Sequence, residues 1–122
     1  MKIQKSAQDY LEAMLVLQKS RGFIRSVDIA EQLGVTKPSV SYATKRLREN
    51  GYITMEKDGL ITLTDMGTRI AEDMLVRHKV LSEFFIRLGV SEQVAIEDAC
   101  KIEHDLSPET FEAIIRHVEK TK

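Results

Sequence analysis

Apolar residues recur at helical spacing along most of the chain and switch to strand spacing once, near its middle. Tyr10-Leu11 and Ala13-Met14-Leu15-Val16-Leu17 are almost continuously apolar around Glu12, which predicts a buried first helix from about Ser6 to Ser20. Ser6 and Asp9 fit a capping arrangement at its start, and Arg21-Gly22 ends it. Phe23-Ile24-Arg25 is expected to extend as a short strand. A second helix runs from Ser26 or Val27 to Leu33, and a third from Thr36 or Lys37 to the stop at Asn50-Gly51.

The period then changes. Tyr52-Ile53-Thr54-Met55-Glu56 and Leu60-Ile61-Thr62-Leu63 flank Lys57-Asp58-Gly59, alternating and partly β-branched runs around an Asp-Gly turn, which predicts a β-hairpin. Thr64 or Asp65 can cap a long helix to about Leu88, with Met66, Ile70, Met74, Leu81, Phe85 and Leu88 on one stripe. Gly89 closes it. A fifth helix is expected from Ser91 to about Leu106. Ser107-Pro108-Glu109 opens a sixth, with a serine cap, a proline in the first turn and an acid at the positive end of the dipole. No internal repeat, low-complexity tract or long linker interrupts this order.

The spacing Ala30, Gly34, Val40 inside Ser26–Arg48 is that of a helix-turn-helix. Ala30 keeps the first helix slim where the second crosses it. Gly34 supplies the positive φ of the turn, and Val40 wedges between the two helices. The helix from Lys37 to Asn50 would then enter a major groove, N-terminal end first. Lys37, Pro38, Ser39 and Tyr42 are the candidates for the base edge, and Thr36, Ser41, Lys45 and Arg46 for phosphates. With the hairpin as a wing, Lys57 at its tip can follow the backbone or minor groove.

A net charge of −1 over 122 residues opposes a nucleic-acid role until the chain is divided. Residues 1–63 carry +3 and residues 64–122 carry −4. Between Thr36 and Arg48 lie Lys37, Lys45, Arg46 and Arg48 and no acid, so the basic surface is local. Hydrophobic content of 43% and charged content of 30% describe a globular chain. No apolar run approaches the roughly 20 residues that span a bilayer. The opening Met1–Gln8 has no apolar signal core, and one cysteine forms no internal disulfide, so a cytoplasmic protein without a membrane partner is expected.

That cysteine sits in Cys100-Lys101-Ile102-Glu103-His104, three metal-ligand types in five residues of an expected helix. At positions i, i+3 and i+4 they would share a face, and thiolate, carboxylate and imidazole together suit a transition metal. Helical phase singles out further polar residues. His78 falls on the apolar stripe of the long helix, between Met74 and Leu81. Glu12 breaks the apolar body of the first helix, with Asp9 on the same face. Buried charge must be paired or metal-bound, since leaving it bare costs several kcal/mol. For each residue a plainer role is open: Asp9 as a cap, Glu12 in an ion pair, His78 as a satisfied core histidine. His117 reads as an ordinary residue of the last helix.

Asp9-Tyr10-x-Glu12, the winged motif, Arg77-His78 and Cys100-x-x-Glu103-His104 followed by Leu106-Ser107 resemble the metal-dependent repressors typified by the diphtheria toxin repressor and the manganese transport regulator. The resemblance covers essentially all 122 residues. It implies metal ligands at Asp9, Glu12, His78, Cys100, Glu103 and His104, and homodimers on palindromic operators of metal-uptake genes. Asp9 matches the manganese branch and Cys100 the iron branch. Ile96 and Ser82 stand where the iron branch has the histidine and glutamate of a second metal site, and the resemblance is to the short members, expected to lack the SH3-like extension.

The expectation is a mainly α protein: a winged helix-turn-helix with a two-stranded β wing over 1–63, and a helical metal-binding and dimerisation region over 64–122. Its function would be metal-dependent repression, with Mn2+ or Fe2+ as cofactor and Zn2+, Co2+ or Ni2+ able to substitute. The partners would be double-stranded DNA and a second copy of the chain. The alternative is a winged-helix regulator answering an organic ligand or oxidation of Cys100. An enzyme is not expected, because neighbours on one helix face rarely achieve a nucleophile's aim and no oxyanion-type loop is near.

Overall fold

The computed structural model describes residues 5–120, so residues 1–4 of the opening segment lie outside the described residues. Among these residues the order is α1 (Lys5–Arg21), α2 (Ser26–Leu33), α3 (Lys37–Glu49), β1 (Ile53–Met55), β2 (Ile61–Leu63), α4 (Asp65–Leu88), α5 (Glu92–Ile102) and α6 (Pro108–Lys120). The chain divides into two compact units, the first ending at Glu72 and the second beginning at Asp73, so the division falls inside α4. The mainly α architecture with a two-stranded wing is as the periodicity predicts.

In the first unit α1 is the central helix. Leu11, Met14, Leu15 and Leu17 are buried, and burial pushes the Tyr10 phenol pKa up. The helix is already formed at Lys5, so Ser6 lies within it and is not its cap. Gly34 ends α2 with φ 67°, a left-handed conformation that side chains with a Cβ disfavour, and Val40 is fully buried behind it. The Thr36 hydroxyl accepts from Ser39 N at 3.2 Å and caps α3.

The wing pairs Ile53 with Leu63, Thr54 with Thr62 and Met55 with Ile61, antiparallel. Ile53, Ile61 and Leu63 point inward and both threonines outward, the period-two pattern of a half-covered sheet. The segment expected as a strand at Phe23–Arg25 contributes a single bridge, Ile24 to Ile61. Arg25 steadies the wing turn by donating from Nη1 to the Asp58 carbonyl at 3.0 Å.

The wing hands over to α4 through a tight knot. The Thr64 hydroxyl lies 2.8 Å from the Gly51 carbonyl and 3.0 Å from that of Tyr52, and it accepts from Gly67 N at 3.2 Å. Gly67 is required here, because a Cβ in its place would stand 2.1 Å from the Tyr52 oxygen.

The second unit has its own core of Leu81, Ala99 and Phe111, packed by Phe85, Ile102, Leu106 and Ile114. Met66 and Leu88, expected on the apolar stripe of α4, are 53% and 64% exposed. The stripe therefore buries only its middle. The fifth helix is shorter than expected: it ends at Ile102 and gives way to a turn through Glu103, His104 and Asp105. Ser107 Oγ accepts from Thr110 N at 3.2 Å and caps α6, with Pro108 as its first residue.

Candidate metal centre and nucleic-acid interface

The nucleic-acid candidates lie on one helix and the wing tip. Val40, Thr44 and Leu47 anchor α3 to the core, which turns the rest of its surface outward. Thr36, Lys37, Pro38, Ser39, Ser41, Tyr42, Lys45 and Arg46 are all exposed, as is Lys57 at the wing turn. Pro38 sits in the first turn, where its missing N–H costs nothing. Tyr42 and Arg46 are joined: Arg46 Nη1 donates to the phenol oxygen at 3.0 Å, and the guanidinium carbon lies 5.7 Å from the ring centroid.

The metal-type candidates divide between the units. In the first unit Asp9 and Glu12 are both half-buried on α1, three residues apart on one face. The second unit brings His78, Glu103 and His104 together. Glu103 is the C-cap residue of α5, its N–H still bonded to Ala99 O at 3.0 Å, and it has no exposure to solvent. His78 Nδ1 lies 3.0 Å from its Oε2, and His104 Nε2 lies 3.4 Å from its Oε1. One buried carboxylate is therefore met by an imidazole nitrogen at each oxygen.

Cys100 differs from these residues in burial. It is exposed on α5, whereas Glu103 and His104 are buried. The helix ends at Ile102, so Glu103 and His104 stand in the turn that follows it, with Glu103 still in helical conformation at the cap.

Arg77 holds that turn in place, and sequence reading gave it no role. Its Nη1 donates to the carbonyls of Glu103 at 3.1 Å and Leu106 at 2.8 Å, and its Nε lies 3.2 Å from Asp73 Oδ2. The guanidinium also sits 5.0 Å from the centroid of Phe111. A cation at the carbonyl end of α5 is favoured by the helix dipole and satisfies acceptors the helix leaves open. Its signal was present in the sequence: Arg77 follows Met74 by three and precedes Leu81 by four, the phase of the buried stripe. His117, assigned no role, packs edge-on against Phe84, with ring centroids 5.9 Å apart.

A donor set of imidazole nitrogen and buried carboxylate is one that first-row divalent transition metals accept, whereas calcium and magnesium prefer oxygen alone. The residues present in the second unit fit such an ion.

Two family models match the chain. The model described as "Iron dependent repressor, N-terminal DNA binding domain" matches residues 2–60, and "Iron dependent repressor, metal binding and dimerisation domain" matches residues 64–122. The chain belongs to the iron-dependent repressor family. An uncharacterized HTH-type transcriptional regulator of Methanocaldococcus jannaschii is 34% identical over 122 residues, covering 98% of each chain. The transcriptional regulator MntR of Salmonella typhimurium is 37% identical over 107 residues, 88% of this chain and 68% of the relative.

Among solved structures, a manganese-dependent transcriptional repressor in complex with manganese superposes with a TM-score of 0.84 at 30% identity, over 93% of this chain and 52% of the other. IdeR of T. acidophilum gives 0.81 at 26% identity, over 92% of this chain and 53% of the other. This chain thus spans about half the length of those two solved chains. Among the described residues no helix is long and apolar enough to cross a membrane.

Proposed function

We propose that this protein is a cytoplasmic, homodimeric transcriptional repressor of divalent-metal uptake genes, activated by Mn2+ or Fe2+. The observation that carries the reading is the buried Glu103 carboxylate facing His78 and His104 in an iron-dependent repressor chain whose other unit exposes a winged helix-turn-helix. We assign DNA binding to residues 1–63 and metal binding with dimerisation to residues 64–122.

The ligands we assign are Asp9, Glu12, His78, Cys100, Glu103 and His104. His78 and Glu103 supply a nitrogen and a carboxylate whose contact is on hand at 3.0 Å. His104 adds a second imidazole, and Arg77 fixes the turn that presents both Glu103 and His104. Asp9 and Glu12 rest on the family resemblance and on their shared face of α1. Cys100 rests on the resemblance alone. When bound, the cation supplies a positive centre that several carboxylates can share. Ligands on α1 would couple that occupancy to the DNA-binding unit. Coupling has a sign only if the ligand set binds metal more tightly in the DNA-competent state.

Thr36, Lys37, Pro38, Ser39, Ser41, Tyr42, Lys45, Arg46 and Lys57 form the DNA face. Two recognition helices in a dimer would reach successive major grooves, roughly 34 Å apart, on a palindromic operator. The test is an anaerobic titration of dimer–operator binding with Mn2+, Fe2+, Zn2+, Co2+ and Ni2+ in turn, followed by chelator. Cys100→Ser runs beside it. Weaker metal response in that variant supports a thiolate ligand. Operator binding indifferent to every metal but lost on oxidation of Cys100 would favour a thiol-based regulator instead.

A further inference from the structure

Arg46, a phosphate candidate on sequence grounds, is bonded to a neighbour on its own helix. Tyr42 is 64% exposed, an unusual placement for an aromatic ring unless it has work at a surface. Its phenol oxygen accepts from Arg46 Nη1 at 3.0 Å, one helical turn along α3. The guanidinium lies 5.7 Å from the ring centroid, within cation–π range, so the ring is held both at its tip and beside its face. The backbone beneath Arg46 is fixed as well. Its carbonyl accepts from Asn50 N at 3.0 Å and from Asn50 Nδ2 at 2.7 Å, at the end of the helix.

The direction of that hydrogen bond decides the chemistry. Arg46 uses an acceptor site of the phenol oxygen, so the O–H hydrogen stays available and points away from the guanidinium. A cation bonded to the oxygen also makes that O–H a stronger donor. Tyr42 therefore presents a positioned donor at the outer surface of the recognition helix. In a major groove the acceptors are guanine O6 and N7, adenine N7 and thymine O4, and guanine alone offers two.

We propose that Tyr42 is a specificity-determining residue that donates to a guanine edge, and that Arg46 is the positioning residue that aims it. The proposal rests on the DNA-binding reading above. A free side chain must lose its rotamer freedom on binding, whereas this ring is already held, so discrimination is sharpened without an added phosphate contact.

The experiment uses the full chain with Mn2+ and a duplex library with a randomised core, selected first with the native protein. Native protein, Tyr42→Phe, Arg46→Met, Arg46→Lys and the Tyr42→Phe/Arg46→Met pair are then compared on single-base variants of the selected duplex, at several salt concentrations. Tyr42→Phe and both Arg46 variants are expected to lose about tenfold of discrimination at the same guanine, and the pair no more than either alone. The slope of log affinity against log salt is expected to be unchanged in Arg46→Met. A slope reduced by about 0.9, with every duplex weakened alike, would make Arg46 a phosphate contact and overturn the proposal. Additive losses at different bases would overturn it too. If the native protein selects no sequence from the library, the DNA-binding reading itself fails.

Discussion

Nδ1 of His78 lies 3.0 Å from Oε2 of Glu103, and the carboxylate it meets is wholly removed from solvent. A buried carboxylate costs several kcal/mol unless charge or hydrogen bonds answer it. Here the His78 imidazole from mid-α4 stands at hydrogen-bond distance from one oxygen, and His104 Nε2 from the turn after α5 lies 3.4 Å from the other.

Glu103→Gln keeps the size of that side chain but removes the charge. Calorimetric Mn2+ titration should show affinity lower by at least about 100-fold, above the 10- to 100-fold range of losing a mere supporting residue. Unaltered Mn2+ affinity would remove Glu103 from the ligand set.

Arg77→Ala should destabilise the protein by about 3 kcal/mol, read as a lower urea midpoint at unchanged slope. The loss combines two carbonyl acceptors, the Asp73 pair and the Phe111 face. Lysine should recover only part of it, because an ammonium lacks the planar face and fork of a guanidinium.

Gly67→Ala puts a methyl 2.1 Å from the Tyr52 carbonyl oxygen. The neighbour is backbone, so it cannot swing aside, and a loss of about 2 kcal/mol or more is expected in thermal or urea unfolding. In an ordinary exposed helix the same change would stabilise.

Thr36→Ala removes the cap of α3 and should cost about 1 kcal/mol of stability, measured without DNA. Serine at this position should restore most of that, since its hydroxyl reaches the same Ser39 N–H.

The first unit was legible because its signals are local. Gly34 at a left-handed turn, Val40 as the wedge and an Asp-Gly hairpin each declare themselves within a few residues. The cluster around Glu103 was legible only in part. Helical phase flagged His78, and residue chemistry flagged Glu103 and His104. Where α5 stops was misjudged, because neither glycine nor proline marks the end at Ile102. That end is set by tertiary contacts, Arg77 taking the carbonyls of Glu103 and Leu106 from a helix more than twenty positions earlier. The exposure of Met66 and Leu88 has a similar cause: periodicity gives the face of a helix but not how far along it the core extends.

The most direct test of the central claim is the operator dissociation constant of the native chain, measured anaerobically with saturating Mn2+ and again with excess chelator. The account predicts binding at least about 100-fold tighter with metal, a coupling near 3 kcal/mol, and little or no such gain for Glu103→Gln. Equal dissociation constants in the two conditions would contradict it.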